Sequence, residues 1–353
     1  MSSSQLYHYL VSGSAPFLFP TDTMFAIMHY GRDAALEIPK CYPYSSEWGK
    51  AANTHLTERE DYPLPGMIDI LWLSIVERRF YSLVGKMPTA EFEQLFGEKE
   101  EESGEAVFEQ IVLGMAPYGG VALWANGFKK SELVAWMYAE ETKVGMNEFS
   151  PSNPSLKLDD LCDYYINNDP IVKQNLETNG LPPRDLFDNY MKQFTYRYLP
   201  MFGHWDEDEK KWTKYAEDET APEFDYIEEA LYDGTHDKLH DDKLLNYHEA
   251  GKPKKLAVKW HIKKSEYTAY FWLDDHAIRA VFDKFYGIHP DTKTDFIIHI
   301  DPEKNKYQLA LFRYGMTEPK TLAEETSQTI VFKNKFEHFR SKNYNQPRGA
   351  WIW

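Results

Sequence analysis

Three histidines lie close together in the stretch HDKLHDDKLLNYH, which runs from His236 to His248. On a helix, His236 and His240 would share one face, and with Asp237 they would imitate the HExxH pattern of zinc hydrolases. Asp237 is one methylene shorter than the glutamate that serves as base in that pattern, and Gly234 disfavours a helix just upstream. A solvated, charged loop therefore explains the stretch better, and we expect no metal and no cofactor. A hydrolase with a scattered or metal-assisted site around His236 and His240 remains the alternative.

Other catalytic signals are weaker. The sequence has no GxSxG elbow, and neither Cys41 nor Cys162 lies in a recognisable nucleophile motif. The acidic neighbours of Cys162 should raise its pKa and lower its reactivity. No Walker or GxGxxG pattern is present, and Gly119 and Gly120 suit a hairpin turn. We therefore expect a protein that is not an enzyme.

Charge narrows the possible partners. The chain has 353 residues and a formal net charge of −17. Such a chain is repelled by phosphate backbones, which makes nucleic acid an unfavourable partner. A basic protein is a better electrostatic match. Residues 155–250 hold 23 acidic and 10 basic side chains, so most of the excess negative charge lies there.

The densest acidic run, DEDE, has aromatic residues on both sides. It is either a solvated charge run or an exposed recognition patch. In the second case, the aromatic residues would anchor a partner protein and the carboxylates would attract it. The candidate partner-binding residues are Trp205, Asp206, Glu207, Asp208, Glu209, Trp212 and Tyr215.

The sequence resembles itself after an offset of about 190 positions. Residues 69–97 and 257–287 align so that Trp72 falls on Trp260 and Gly97 on Gly287. In each copy two strand-like runs precede a helical pattern with a glycine stop, and three strand-like runs follow it. Short turns between neighbouring strands indicate an antiparallel sheet with one helix on a face.

The predicted fold is therefore α+β, with two pseudo-repeated antiparallel sheet-plus-helix units and an acidic helical insertion between them. Residues 1–65 form an N-terminal strand and loop region, 66–141 the first unit and 142–254 the insertion. Residues 255–353 form the second unit with an aromatic tail. Three stretches of the insertion have helical character, and these are LKLDDLCDYYINN, PRDLFDNYMKQFTYRYL and PEFDYIEEALYDG.

The tail, FKNKFEHFRSKNYNQPRGAWIW, combines basic and aromatic residues in the way that single-stranded nucleic-acid sites do. The overall negative charge favours structural packing instead, with Trp351 and Trp353 at least half buried. The tail resembles the C-terminus of Bacteroidetes-type members of the bacterial family called domain of unknown function 2931. Two further stretches, PGMIDILWLSIVERRFYSLVGKMPTAEFEQLF and FEQIVLGMAPYGGVALWANG, are similar to that family's opening strands, helix and hairpin.

The resemblance covers most of residues 20–140 and residues 255–353, and it brings no catalytic residues with it. It implies an immunity or inhibitor protein that binds a cognate toxin, such as a type VI secretion effector. A structural or assembly protein is a second alternative. The N-terminus has neither the early positive charge nor the apolar run of a secretory signal, and no stretch is apolar enough for membrane insertion. We therefore expect a cytoplasmic protein.

Overall fold

A computed structural model describes residues 5–31, 34–40, 47–52, 61–100, 103–216, 220–287, 290–303, 306–313, 320–321 and 328–334. The chain forms two compact units. Unit 1 comprises Met1–Met191 with Asp233–Thr235, and unit 2 comprises Lys192–Tyr232 with His236–Trp353. Both units combine strands with helices, so the predicted α+β class is confirmed.

Unit 1 begins with short strands, continues through a sheet-and-helix region and ends in a group of helices. Its strands are β1 (Tyr7–His8), β2 (Leu10–Ser14), β3 (Thr21–His29), β4 (Ala35–Glu37), β5 (Asp61–Tyr62), β6 (Met67–Ser74), β7 (Arg79–Lys86), β8 (Gln110–Met115), β9 (Gly120–Asn126), β10 (Ser131–Tyr138) and β11 (Glu140–Thr142). Its helices are α1 (Thr89–Phe96), α2 (Met146–Phe149), α3 (Leu158–Asn168), α4 (Pro170–Asn179) and α5 (Leu186–Tyr190).

Unit 2 contains the remaining elements. Its strands are β12 (Phe194–Phe202), β13 (His204–Asp206), β14 (Lys211–Thr213), β15 (Glu223–Leu231), β16 (His236–Leu239), β17 (His248–Ala250), β18 (Pro253–Ile262), β19 (Ser265–Trp272), β20 (Thr294–Asp301), β21 (Lys306–Arg313), β22 (Lys320–Thr321) and β23 (Gln328–Asn334). Its helices are α6 (Asp241–Leu245) and α7 (Asp275–Tyr286).

The described strands of each unit form two larger sets and one separate two-stranded pair, which is β1 with β5 in unit 1 and β13 with β14 in unit 2. In unit 1 the orders are β2-β8-β9-β10 and β4-β3-β6-β7-β11. In unit 2 they are β12-β20-β21-β22, with β17 on the far side of β12, and β16-β15-β18-β19-β23. Each unit has one parallel pair, β2 with β8 and β12 with β20, whereas the sequence predicted antiparallel sheets only. Parallel strands are distant in sequence, so no short turn reveals their pairing.

Two local details also recur. Trp72 lies against Tyr81 with ring centroids 5.6 Å apart, and Trp260 lies against Tyr267 at 5.7 Å. A register shift leaves one extra residue in the strand paired opposite each tryptophan, between Thr23 and Phe25 in β3 and between Phe224 and Tyr226 in β15. Positions with the same relation to the Trp–Tyr pair are called equivalent below.

The core of each unit lies between its strands and one helix, α1 in unit 1 and α7 in unit 2. In unit 2, Val258 and Trp260 of β18 share one apolar cluster with Ile298 of β20 and Phe282 of α7. Helix α7 begins where the side chain of Asp274 accepts the backbone N–H of Ala277 at 2.9 Å. In unit 1, α1 contributes Phe92 and Phe96 to the corresponding cluster.

The predicted helical insertion is wrong in part. Of its three predicted helices, α3 is present, the second contains only the short α5 before β12 begins, and the third is strand β15. Apolar residues four apart, such as Ile227 and Leu231, share one face of a strand as they would share one face of a helix, so this spacing alone did not separate the two. The boundary between units falls at 191–192, inside the predicted insertion.

The predicted burial of Trp351 and Trp353 concerns positions outside the described residues. Of the quoted tail, the structure describes only the backbone of its first three residues, the end of β23, which pairs with β19. No helix among the described residues is long and apolar enough to cross a membrane.

Replacing Phe282 with Ala should destabilise unit 2. Phe282 is fully buried and its ring lies 5.1 Å from that of Phe194. Removing a buried Phe side chain leaves a cavity and costs about 3–5 kcal/mol. The free energy of unfolding in urea measures the loss. Lys284→Ala, on the exposed side of the same helix, is the control and should change it by less than about 0.5 kcal/mol. Equal losses in both variants would contradict the packing described here.

Candidate functional site

The predicted partner-binding residues form a small hairpin in unit 2. Strands β13 and β14 pair with Trp205 opposite Trp212. The connecting residues 206–209 are called the acidic turn. The carboxylate of Asp206 accepts the backbone N–H groups of Asp208 at 3.0 Å and Glu209 at 2.9 Å. This side-chain bonding fixes the conformation of the turn.

The aromatic residues of this hairpin pack inward, which corrects their predicted role as exposed anchors. Trp205 is only 8% exposed, and its backbone N–H donates to Asp301 at 2.8 Å. Trp212 stacks on His299 at 4.9 Å and its Nε1 donates to Gln308 at 2.7 Å. Their partners lie on β20 and β21, about 90 residues further along the chain, so local sequence could not show this packing. Tyr215, half-buried, lies against the ring of His204.

The carboxylates of the turn have different surroundings. Glu207, Asp208 and Glu209 are exposed, whereas Asp206 is partly buried. Glu209 forms an ion pair with Lys211. Glu207 and Asp208 therefore present most of the turn's negative charge to solvent, and Asp206 mainly maintains its shape.

The histidine stretch does not form the helix that a zinc site of the HExxH type needs. His236 begins strand β16 and His240 follows that strand. Four residues of strand span about 13 Å, too far for both rings to bind one metal ion. Across the described parts of the chain, no group of three His, Cys, Asp or Glu side chains is placed to hold a metal. His236 and His240 therefore do not form the metal pair of the HExxH pattern.

A polar cleft in unit 2 was not predicted. Its volume is about 660 Å³, and strands β15, β18 and β19 provide most of its lining. Tyr226, Lys259 and His261 lie along it, with Lys263 and Lys264 at the turn between β18 and β19 and Glu266 near the start of β19. Its size is that of a small-molecule site.

Hydrogen bonds and ion pairs organise the cleft. His261 Nδ1 lies 2.8 Å from the Asp225 carboxylate and Nε2 lies 3.4 Å from that of Glu223. The hydrogen bond to Asp225, together with both negative charges, raises the pKa of His261. Lys259 donates to the Tyr226 hydroxyl at 2.5 Å and lies 3.6 Å from Glu228. The Nζ of Lys238 lies 3.7 Å from the centre of the Tyr226 ring.

Asp225 reaches this face because it is the extra residue of the β15 bulge. A bulge redirects side chains that strict alternation would send to the other face. The sequence did contain one signal for the cleft, since Lys259, His261 and Lys263 alternate with buried Trp260 in a predicted strand. The sequence predicts a helix where the partner strand β15 lies. The cleft residues on that strand were therefore not recognised.

The equivalent face of unit 1 is apolar and covered. Leu73 and Phe80 are buried there in one cluster with Cys162 of α3. Burial raises the pKa of the Cys162 thiol to about 12, so desolvation more than the neighbouring acids makes it unreactive. At the edge of the same face, Arg78 donates to Asp159 at 2.9 Å and Asp163 at 2.5 Å.

Among the described residues that form this covered face, Asp22 has the one buried carboxyl group. It is 2% exposed, and the hydroxyl of Tyr165 lies 3.4 Å from its Oδ2. Its Oδ1 has no hydrogen-bond partner. Loss of solvation raises the pKa of Asp22 to about 7.

The fold and these two surfaces define a mixed α+β protein with an acidic hairpin and a polar cleft. Residues 13–182 match the family described as "Protein of unknown function (DUF2931)", so the chain contains a domain of this family. The matched residues lie within unit 1 and end in the segment after α4. Comparison with curated proteins and with solved structures gave no match.

Replacing Asp22 with Asn should change how stability depends on pH. The pKa of Asp22 is about 7 in the folded state against 3.8 ordinarily, so folding favours the protonated form. Its contribution is therefore most favourable below pH 4 and is lost as pH rises through 7. The loss reaches about 4 kcal/mol at most. Asn imitates the protonated acid, so the variant should exceed the wild type in unfolding free energy at pH 8.5 and match it near pH 4.

The matched control is Asp160→Asn, at an exposed position of α3. Because Asp160 lies in the first turn of α3, this variant should differ from the wild type in urea unfolding by less than about 1 kcal/mol, well below the change expected for Asp22→Asn. A pH-independent difference between Asp22→Asn and the wild type would show that Asp22 does not titrate as described.

Proposed function

We propose that this protein is a non-catalytic binding protein that neutralises a cognate toxin by direct contact, and that the acidic turn is part of the contact surface. The observation that carries the proposal is the placement of the hairpin. In unit 1, residues 15–20 connect β2 to β3, whereas in unit 2 residues 203–222 connect the equivalent strands β12 and β15. The hairpin is thus an addition to a connection that the fold can make with six residues. Long additions of this kind are frequent sites of function.

The rigidity of the turn supports a binding role. Its backbone is held by Asp206, and its base is held by Trp205 and Trp212, which pack into unit 2. A surface that is ordered before binding loses less conformational entropy when a partner binds. The exposed Glu207 and Asp208 therefore meet a partner in a fixed geometry.

Electrostatics supports a basic partner. The net charge of −17 attracts a positively charged protein over distances of a Debye length, and the acidic turn concentrates that attraction at one place. The family resemblance leads us to propose a toxin delivered by a secretion system, such as a type VI effector. A structural or assembly protein is the second reading of the same resemblance.

We also infer that the two units are copies of one ancestral unit. In support, ten described elements follow in the same chain order in both units, with one parallel pair in each. They are β2, β3, β4, β6, β7, α1, β8, β9, β10 and β11 in unit 1, and β12, β15, β16, β18, β19, α7, β20, β21, β22 and β23 in unit 2. The extra residue opposite the buried tryptophan recurs as well. Under this inference, the predicted acidic insertion is not a single segment between the two copies. Its hairpin lengthens the connection between β12 and β15 in unit 2, and its helices α2 to α5 are an addition to unit 1.

Reversing the exposed charges of the turn should slow binding of the toxin. The double variant Glu207→Lys, Asp208→Lys leaves Asp206 and both tryptophans in place, so the hairpin should keep its shape. We expect the association rate constant to fall by about tenfold at low salt, with a smaller change in the dissociation rate constant. Surface plasmon resonance with each toxin encoded near the gene measures both constants.

The control variant Glu91→Lys, Glu177→Lys makes the same change in net charge at exposed positions of α1 and α4. Its association rate constant should fall much less. Equal effects of the two variants would assign the attraction to net charge and contradict a role for the acidic turn. If co-expression protects sensitive cells from none of the neighbouring toxins, and none binds at micromolar concentration, the proposed function is wrong.

A further inference from the structure

The strongest indication of a second site is the contrast between equivalent positions of the two units. Leu71 and Leu73 flank Trp72 in β6, whereas Lys259 and His261 flank Trp260 in β18. Phe80 precedes Tyr81 in β7, whereas Glu266 precedes Tyr267 in β19. The same sheet face that is apolar and covered by α3 in unit 1 is thus ionisable and forms a cleft in unit 2.

The turn beside this face holds a basic residue in both units. Arg78 and Lys263 precede β7 and β19, and both have left-handed backbone conformations, with φ of 57° and 56°. Non-glycine residues adopt this conformation infrequently. In unit 1 the basic residue binds anionic groups, because Arg78 contacts the carboxylates of Asp159 and Asp163. In unit 2, Lys263 and Lys264 make no ion pair with any described residue.

The remaining cations of the cleft are already engaged. His261 lies between Asp225 and Glu223, and Lys259 bonds to the Tyr226 hydroxyl with Glu228 nearby. Each lysine ammonium carries three N–H donors. The adjacent Lys263 and Lys264 therefore supply positive charge that no described carboxylate pairs, together with unused donors, while Glu266 is a nearby carboxylate and Phe224 and Tyr226 supply ring surfaces.

We propose that the unit 2 cleft binds a small organic anion, whose carboxylate or phosphate group lies at Lys263 and Lys264 and whose ring packs against the aromatic lining that Phe224 and Tyr226 provide. An amphipathic helix, which covers the equivalent face of unit 1, fits less well. Its apolar side would remove water from the ion pairs of His261 and Lys259 and would bury the Glu266 carboxylate, which is costly. A compact polar ligand matches both the volume and the lining.

This site is separate from the acidic turn, so its test does not depend on the proposed function. The probes are phenyl phosphate and benzoate, with phenol as the uncharged analogue and inorganic phosphate as the ringless one. NMR titration of the isotope-labelled full chain measures each dissociation constant. We expect phenyl phosphate or benzoate to bind at least tenfold more tightly than phenol and than inorganic phosphate, with the largest shifts at the cleft.

The variant Lys263→Gln, Lys264→Gln should weaken binding of the charged aromatic probes at least tenfold. Lys173→Gln, Lys284→Gln removes two exposed lysines from α4 and α7 and should leave it unchanged. Equal weakening in both variants, or no probe binding below about 10 mM, would overturn the proposal. So would binding at the cleft of a peptide with the sequence of residues 156–168 when neither small anion binds, because it would identify the cleft as a helix-docking surface.

Discussion

Both units depend on one tryptophan buried within a strand and packed against the tyrosine opposite. Trp72 and Trp260 are fully buried, and neither indole N–H has a hydrogen-bond partner in the described structure. An unsatisfied buried donor costs about 1–3 kcal/mol. Packing of the large ring offsets this cost, since burying an aromatic side chain contributes about 2–3 kcal/mol before its ring contacts are counted. The register of the hairpin is consequently fixed, because a slip by one residue would expose the ring.

The fixed register determines which side chains of the hairpin point away from the core. The face that these side chains form differs between the two units. In unit 1 the face is apolar and requires α2 and α3 to cover it, with Arg78 bound to Asp159 and Asp163 at the edge. In unit 2 the face carries charged residues that remain hydrated and pair with one another. A buried Trp–Tyr pair thus lies beside a closed apolar interior in unit 1 and beside an open cleft in unit 2.

The acidic turn illustrates how a surface feature depends on interior packing. Its exposed carboxylates repel one another, and such a turn would be mobile on a flexible loop. Trp205 and Trp212 anchor both sides of it to β20 and β21, and Asp206 binds its backbone. The aromatic residues beside the charges therefore serve the fold of unit 2. The sequence predicted instead that these aromatic residues would anchor a partner protein, because aromatic residues beside acids are also typical of interfaces.

The sequence by itself determined the elements whose pattern is local. The β6–β7 and β18–β19 hairpins, the helices α1, α3 and α7, and the glycines that end α1 and α7 follow from alternation, helical spacing and turn residues. Tertiary structure alone decided the parallel pairing of β12 with β20, the burial of Trp205, the strand conformation of residues 223–231 and the cleft that they line. Each of these depends on contacts between residues tens of positions apart. Local periodicity describes which face of an element is apolar, but only the pairing of distant strands determines what that face meets.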